Sequence, residues 1–162
     1  PKNIQPGPST SFDTAPYGVD FNIMISHSTD AGETWSTPKM VSEDQTGADQ
    51  VFPSLALDER GGLHIAFLDH RGSLAKPFMD VYYTESHDGG ETFMANLKLN
   101  TGPMLIDLTN YFGNRFFGDY SNMVAAYPDR TLVTYPCSGT SGYDVCISEV
   151  VPGIQRRKVP NF

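Results

Sequence analysis

The chain has 162 residues, enough for one ordinary domain, and its 12% aromatic and 19% charged content excludes a disordered chain in favour of a globular one. A formal net charge of −8 disfavours nucleic acid and anionic membrane surfaces as partners, because either needs a basic patch to displace counterions. No apolar run of about 18 residues occurs, so no membrane span is expected. With neither an initiating Met nor a charged-then-apolar leader, the expectation is a mature or excised piece.

In chain order, residues 1–19 read as a Pro- and Gly-rich loop or frayed end. Alternating apolar residues over 21–27 and 38–42 predict two β-strands. Between them stands Ser28-Thr29-Asp30-Ala31-Gly32-Glu33-Thr34-Trp35, whose Asp and Gly suit a tight reversal. Gly reaches positive φ freely, and an Asp carboxylate accepts hydrogen bonds from backbone N–H groups just ahead of it. The aromatic residue at its end is expected to drop back onto an apolar layer. Strands are predicted at 51–57 and 63–68 around the turn Asp58-Glu59-Arg60-Gly61-Gly62, then at 80–85 and 94–99. The last pair encloses Ser86-His87-Asp88-Gly89-Gly90-Glu91-Thr92-Phe93, a second copy of Ser-x-Asp-x-Gly-Glu-Thr-aromatic placed 58 positions after the first. Further strands are expected at 122–127, 131–135 and 144–148, with Pro128-Asp129-Arg130 and Val151-Pro152-Gly153 as turns. No helical periodicity is evident.

The repeated octapeptide resembles the Asp box, or BNR repeat, of the sialidase superfamily. In that family it closes the turn between the third and fourth strands of a β-propeller blade. The resemblance implies an all-β fold: a partial β-propeller of four-stranded antiparallel blades with Asp-box turns, the box positions being Ser28, Asp30, Gly32, Thr34, Trp35 and Ser86, Asp88, Gly90, Thr92, Phe93. Residues 1–162 then form one partial propeller domain: the end of one blade (1–50), a complete blade (51–100) and a further blade (101–162). Closed propellers have about four to eight blades. The expectation is therefore a fragment of a longer propeller, or a short one that covers its open edges by self-association.

Antiparallel strands place first-to-second and third-to-fourth turns on one rim and the remaining connections on the other. The boxes, the Asp58–Gly62 turn and the Pro128–Arg130 turn share the tight rim, which makes Asp30 and Asp88 turn-stabilising groups. The long connections, residues 42–50, 69–79, 100–121 and 136–143, share the opposite rim, where binding and chemistry concentrate. There the polar candidates are Asp49, Asp69, His70, Arg71, Asp107, Arg115, Asp119 and Tyr120.

Similarity to sialidases implies an arginine triad for the substrate carboxylate, a Tyr nucleophile activated by Glu, and an Asp acid/base. By that analogy the catalytic candidates are Asp69, Arg71, Asp119, Tyr120 and Arg115. Arg60 and Arg130 fall on the tight rim, and the Phe/Tyr-Arg-Ile-Pro motif that opens the family's catalytic domain is not among these residues, so the triad is not completed here. Tyr120 is a nucleophile or a packing tyrosine. Asp69 and Arg71 form catalytic groups or an ion pair that fixes their loop.

No cofactor is required, and no metal is assigned; Asp49, Asp69 and Asp119 are hard oxygen ligands of the kind Ca²⁺ takes. Cys137 and Cys146 form either a disulfide, which fits a secreted or extracytoplasmic protein, or two buried thiols; their spacing without nearby His partners does not suggest zinc. The basic cluster Arg156-Arg157-Lys158 reads as a solvated end. Two functions remain open: a sialidase-like glycoside hydrolase or glycan-binding segment taking a glycan or small sugar ligand, and a non-catalytic propeller scaffold for protein interaction.

Overall fold

The computed structural model describes residues 20–72, 78–102, 104–105, 123–138, 143–151 and 154–158. Every regular element among them is a β-strand: β1 (Met24–Ile25), β2 (Lys39–Met40), β3 (Gln50–Leu57), β4 (Leu63–Asp69), β5 (Phe78–Ser86), β6 (Leu97–Lys98), β7 (Met104–Leu105), β8 (Met123–Tyr127), β9 (Arg130–Ser138), β10 (Tyr143–Val151) and β11 (Ile154–Lys158). All pairings are antiparallel. They give a β1–β2 hairpin, a central sheet ordered β3-β4-β5-β6 with β7 also on β5, and a sheet ordered β11-β10-β9-β8. No helix among the described residues is long and apolar enough to cross a membrane.

The central sheet lies between the other two, and its strand alternation explains how. Along β4, Ala66 and Leu68 point to one face, Ile65 and Phe67 to the other. With Met79, Val81, Tyr83 and Leu99, the first face builds a core against Val133, Tyr135 and Val150 of the β8–β11 sheet. Ile65 and Phe67 pack on Ile23 and Val41 of the first hairpin, with Tyr82 and Phe93 beside them. A strand covered on both faces reads as a near-continuous apolar run, as Leu63-His64-Ile65-Ala66-Phe67-Leu68 does. Phe67, Leu68, Val81 and Val133 are fully buried, and burial of such side chains stabilises by about 1.5–3 kcal/mol each.

Several elements depart from the expected bounds. The first hairpin pairs as strands only at Met24↔Met40 and Ile25↔Lys39, because Ser42 takes over at its end: Ser42 Oγ accepts from Ile23 N at 3.3 Å. β9 and β10 run longer than predicted and continue into β11. Arg156, Arg157 and Lys158 therefore lie in a strand rather than beyond the last regular element. Within residues 100–121, expected as an unstructured connection, β7 pairs Met104 with Met79 and Leu105 with Phe78. The expected loop at 1–19 lies outside the described residues.

Candidate functional site

The two octapeptides close the β1–β2 and β5–β6 hairpins with the same set of bonds. Ser28 Oγ donates to Asp30 Oδ1 (2.7 Å) and accepts from Gly32 N (2.8 Å); Ser86 Oγ donates to Asp88 Oδ1 (2.8 Å) and accepts from Gly90 N (2.9 Å). Thr34 N reaches Asp30 Oδ1 and Thr92 N reaches Asp88 Oδ1, both at 2.9 Å, and each Thr hydroxyl donates to the same carboxylate. The hydroxyl of Thr34, then its N–H, holds the Asp30 pKa down to about 2; Asp88 is lowered in the same way by Thr92. These carboxylates are fixed as anions and saturated by their own turns, as a structural role requires.

The equivalence extends beyond the turns. Met24↔Met40 and Ile25↔Lys39 recur 58 positions on as Tyr82↔Lys98 and Tyr83↔Leu97. Ser36 N to His27 O recurs as Met94 N to Glu85 O, and Val41 N to Ile23 O as Leu99 N to Val81 O. Even the end bonds correspond: Ser42 Oγ accepts from Ile23 N, and Asn100 Oδ1 from Val81 N. The aromatic residues differ. Phe93 packs against the Ile23, Val41, Ile65 and Phe67 core, whereas Trp35 is 65% exposed and does not drop onto an apolar layer. Its side of the first hairpin carries no further sheet among the described residues, and its Nε1 caps Gly32 O at 3.2 Å.

Of the catalytic candidates, Asp69 and Arg71 are brought together. Asp69 is fully buried at the end of β4; it accepts from Arg71 N (2.6 Å), Nε (2.7 Å) and Nη2 (2.6 Å). The guanidinium lies 4.2 Å over the Tyr82 ring and donates from Nη2 to Ser42 O (2.6 Å) and Asn96 Oδ1 (3.0 Å). Arg71 therefore ties the central sheet to the loop after β2, the ion-pair alternative expected from the sequence, extended across a sheet junction. Burial raises the Asp69 pKa despite the hydrogen bonds and charge of Arg71, and burial likewise raises that of Tyr82 against the pull of the same cation. Nearby, Asp44 is pulled up by burial but more strongly down by hydrogen bonds from Thr46, Ala48 and Gln50, with a lowered net pKa.

Asp49 Oδ1 accepts from Phe21 N at 3.1 Å, and His70 Nδ1 meets Phe78 O at 3.0 Å. Asp107, Arg115, Asp119 and Tyr120 lie outside the described residues. Among the described residues no group of three or more His, Cys, Asp or Glu side chains is arranged to hold a metal ion. An open groove of about 510 Å³ runs between the start of β3 and the first hairpin, walled by Phe21, Met24, Phe52 and Pro53. Phe52 sits there at φ 53°, within the register shift between Val51 and Ser54.

A second cluster, at the tight-turn end of the junction with the β8–β11 sheet, was not anticipated: Asp58, His64, Tyr83, Glu85 and Thr131. Its sequence signal is Tyr83-x-Glu85 on one face of a strand, with His64 opposite Glu85 in the register. Asp58 and Glu85 approach opposite nitrogens of the His64 ring, so they do not converge on one point as ligands of a single cation do. Cys137 and Cys146 form a disulfide between β9 and β10, so the free-thiol alternative is set aside. Comparison with protein-family models gives no match for this chain, and comparison with curated proteins gives none either.

Proposed function

We propose that the chain is a segment of a sialidase-superfamily β-propeller that handles glycans outside the cytoplasm, through hydrolysis of a glycosidic bond or through binding. The observation that carries this reading is the 58-position recurrence of turn, strand register and end bonds in two successive hairpins. Radially repeated blades require that equivalence, and a single continuous sheet does not. The exposed face of the first hairpin adds support. Met24 and Trp35 are exposed, while their equivalents 58 positions on, Tyr82 and Phe93, pack at the junction that the first hairpin covers. A preceding blade, or another copy of the chain, is the cover this reading supplies. The Cys137–Cys146 disulfide fits an oxidising compartment.

The second reading, a non-catalytic propeller scaffold, is favoured by Arg71, whose guanidinium is held by Asp69, Ser42 and Asn96 and lies over Tyr82. Fluorophore release from an aryl sialoside separates the two, with Tyr120→Phe and Arg115→Ala as variants outside the Arg71 cluster. Turnover that falls at least about a hundredfold in either variant while the fold is kept supports hydrolysis. Glycan binding without turnover supports the binding form. The absence of both overturns the glycan reading in favour of the scaffold.

A further inference from the structure

The two junctions between layers are built to one directional pattern. In the first, Ile23 and Ile25 of β1 join the core with Ile65 and Phe67, and Tyr82 of β5 belongs to the surface that receives them. In the second, Val81 and Tyr83 of β5 join the core with Val133 and Tyr135, and Cys146 of β10 belongs to the receiving surface. β5 and β10 are the third strands of their sheets, in matching order. Each sheet therefore covers its successor with one face and is covered by its predecessor on the other.

Among the described residues the stack ends with one face of each kind uncovered. At the first hairpin, Met24 and Met40 are direct cross-strand partners and so share a face. Both are exposed, as is Trp35. Met24 and Trp35 stand where the central sheet has Tyr82 and Phe93, so this is a face of the receiving kind. At the far end, Val145 and Ile147 alternate along β10 with the core-packed Cys146 and point away from it. Val145 is 73% exposed. The cross-strand pairs Pro136↔Val145 and Thr134↔Ile147 stand where the central sheet has Leu68↔Val81 and Ala66↔Tyr83, so this is a face of the covering kind.

Charge follows the same direction. At the first junction Lys39, on the last strand of the covering hairpin, meets Glu91 of the second octapeptide at 3.3 Å. Glu33 holds that position in the first octapeptide and is exposed. β11, the last strand of its own sheet, contains Arg156, Arg157 and Lys158. A rim pair of this kind fixes register and partner choice more than it adds affinity. The apolar faces supply the bulk of the attraction.

We propose that the Met24, Trp35 and Met40 face of the first hairpin binds the outer face of the β8–β11 sheet of a second copy of this chain, repeating the internal junction between molecules; this rests on the reading of the layers as successive blades. Two different surfaces meet in such a contact, so every added copy leaves one of each open, and copies join until a ring closes or a filament grows. Met24→Asp blocks one surface and Val145→Asp the other, and both side chains are exposed, so neither change enters the core. In sedimentation the natural chain should rise in mass with concentration, and each variant alone should remain a single chain. An equimolar mixture of the two variants should form a two-chain species and stop there. Trp35 is the single tryptophan. With Trp35→Phe added to the Met24→Asp chain, the remaining tryptophan sits on the intact hairpin, and its emission should move to shorter wavelength on mixing. Self-association that survives either substitution, a mixture that stays as single chains, or a natural chain still single at about 0.1 mM overturns the proposal. None of these results bears on glycan handling, which the sialoside experiment decides separately.

Discussion

Ala31 and Gly89 occupy the same place in the two repeated turns, with φ of 59° and 76°. Only the glycine adopts that conformation without cost, since a Cβ in the left-handed region crowds the following carbonyl by about 1–2 kcal/mol. Ala31→Gly should therefore raise stability by about 0.5–1 kcal/mol after its entropic penalty, read as a higher urea midpoint at unchanged slope. Gly90→Ala should lower it by about 1–2 kcal/mol, because φ there is 89° and the new Cβ would press on Leu63 Cδ1 at 3.3 Å. These turns are legible in the sequence because the bonds that close each corner join residues within the octapeptide. The conformation of Phe52 is not legible, since it arises from how β3 pairs with β4 rather than from a local turn signal.

The β9–β10 hairpin is bridged on one face by the disulfide between Cys137, opposite Asp144, and Cys146, opposite Tyr135. The bridge closes a loop of sequence separation 9, for which chain-entropy reasoning gives about 2–3 kcal/mol. Cys137→Ser with Cys146→Ser should lose about that amount in urea unfolding and should respond no further to a reducing agent, whereas the natural protein should. Strand existence and order are readable from alternation and turn residues, since both are local. Strand length is not: β9 and β10 extend because neighbours continue the ladder, while the first hairpin shortens where Ser42 replaces a backbone partner.

At the scale of the whole molecule, polar groups fasten both faces of the central sheet. Removing Arg71 leaves the buried Asp69 carboxylate without its cation, and Arg71→Ala should cost about 3 kcal/mol. Because the Asp69 pKa is already raised in the folded state, folding favours the protonated acid. The Arg71→Ala defect should thus shrink as pH falls toward the carboxyl range, where the buried group accepts a proton. A defect independent of pH from about 7 to 4 by urea unfolding would show that lost packing, not the orphaned charge, sets its size. Asp69-His70-Arg71 is visible as a polar group after an apolar strand. Its inward orientation is not, because Ser42 and Asn96 lie 29 and 25 positions away and only the packed sheets bring them near.

The fastenings are unequal. Between the first hairpin and the central sheet, Arg71 holds one end through Ser42, and Lys39 holds the other by binding the Glu91 carbonyl and carboxylate. Between the central sheet and the β8–β11 sheet, the polar attachment among the described residues gathers at the single corner where Thr131 meets His64 and Tyr83. The third layer is therefore held chiefly by its apolar contacts, Ala66, Leu68 and Val81 against Val133, Tyr135 and Val150, rather than by polar fasteners.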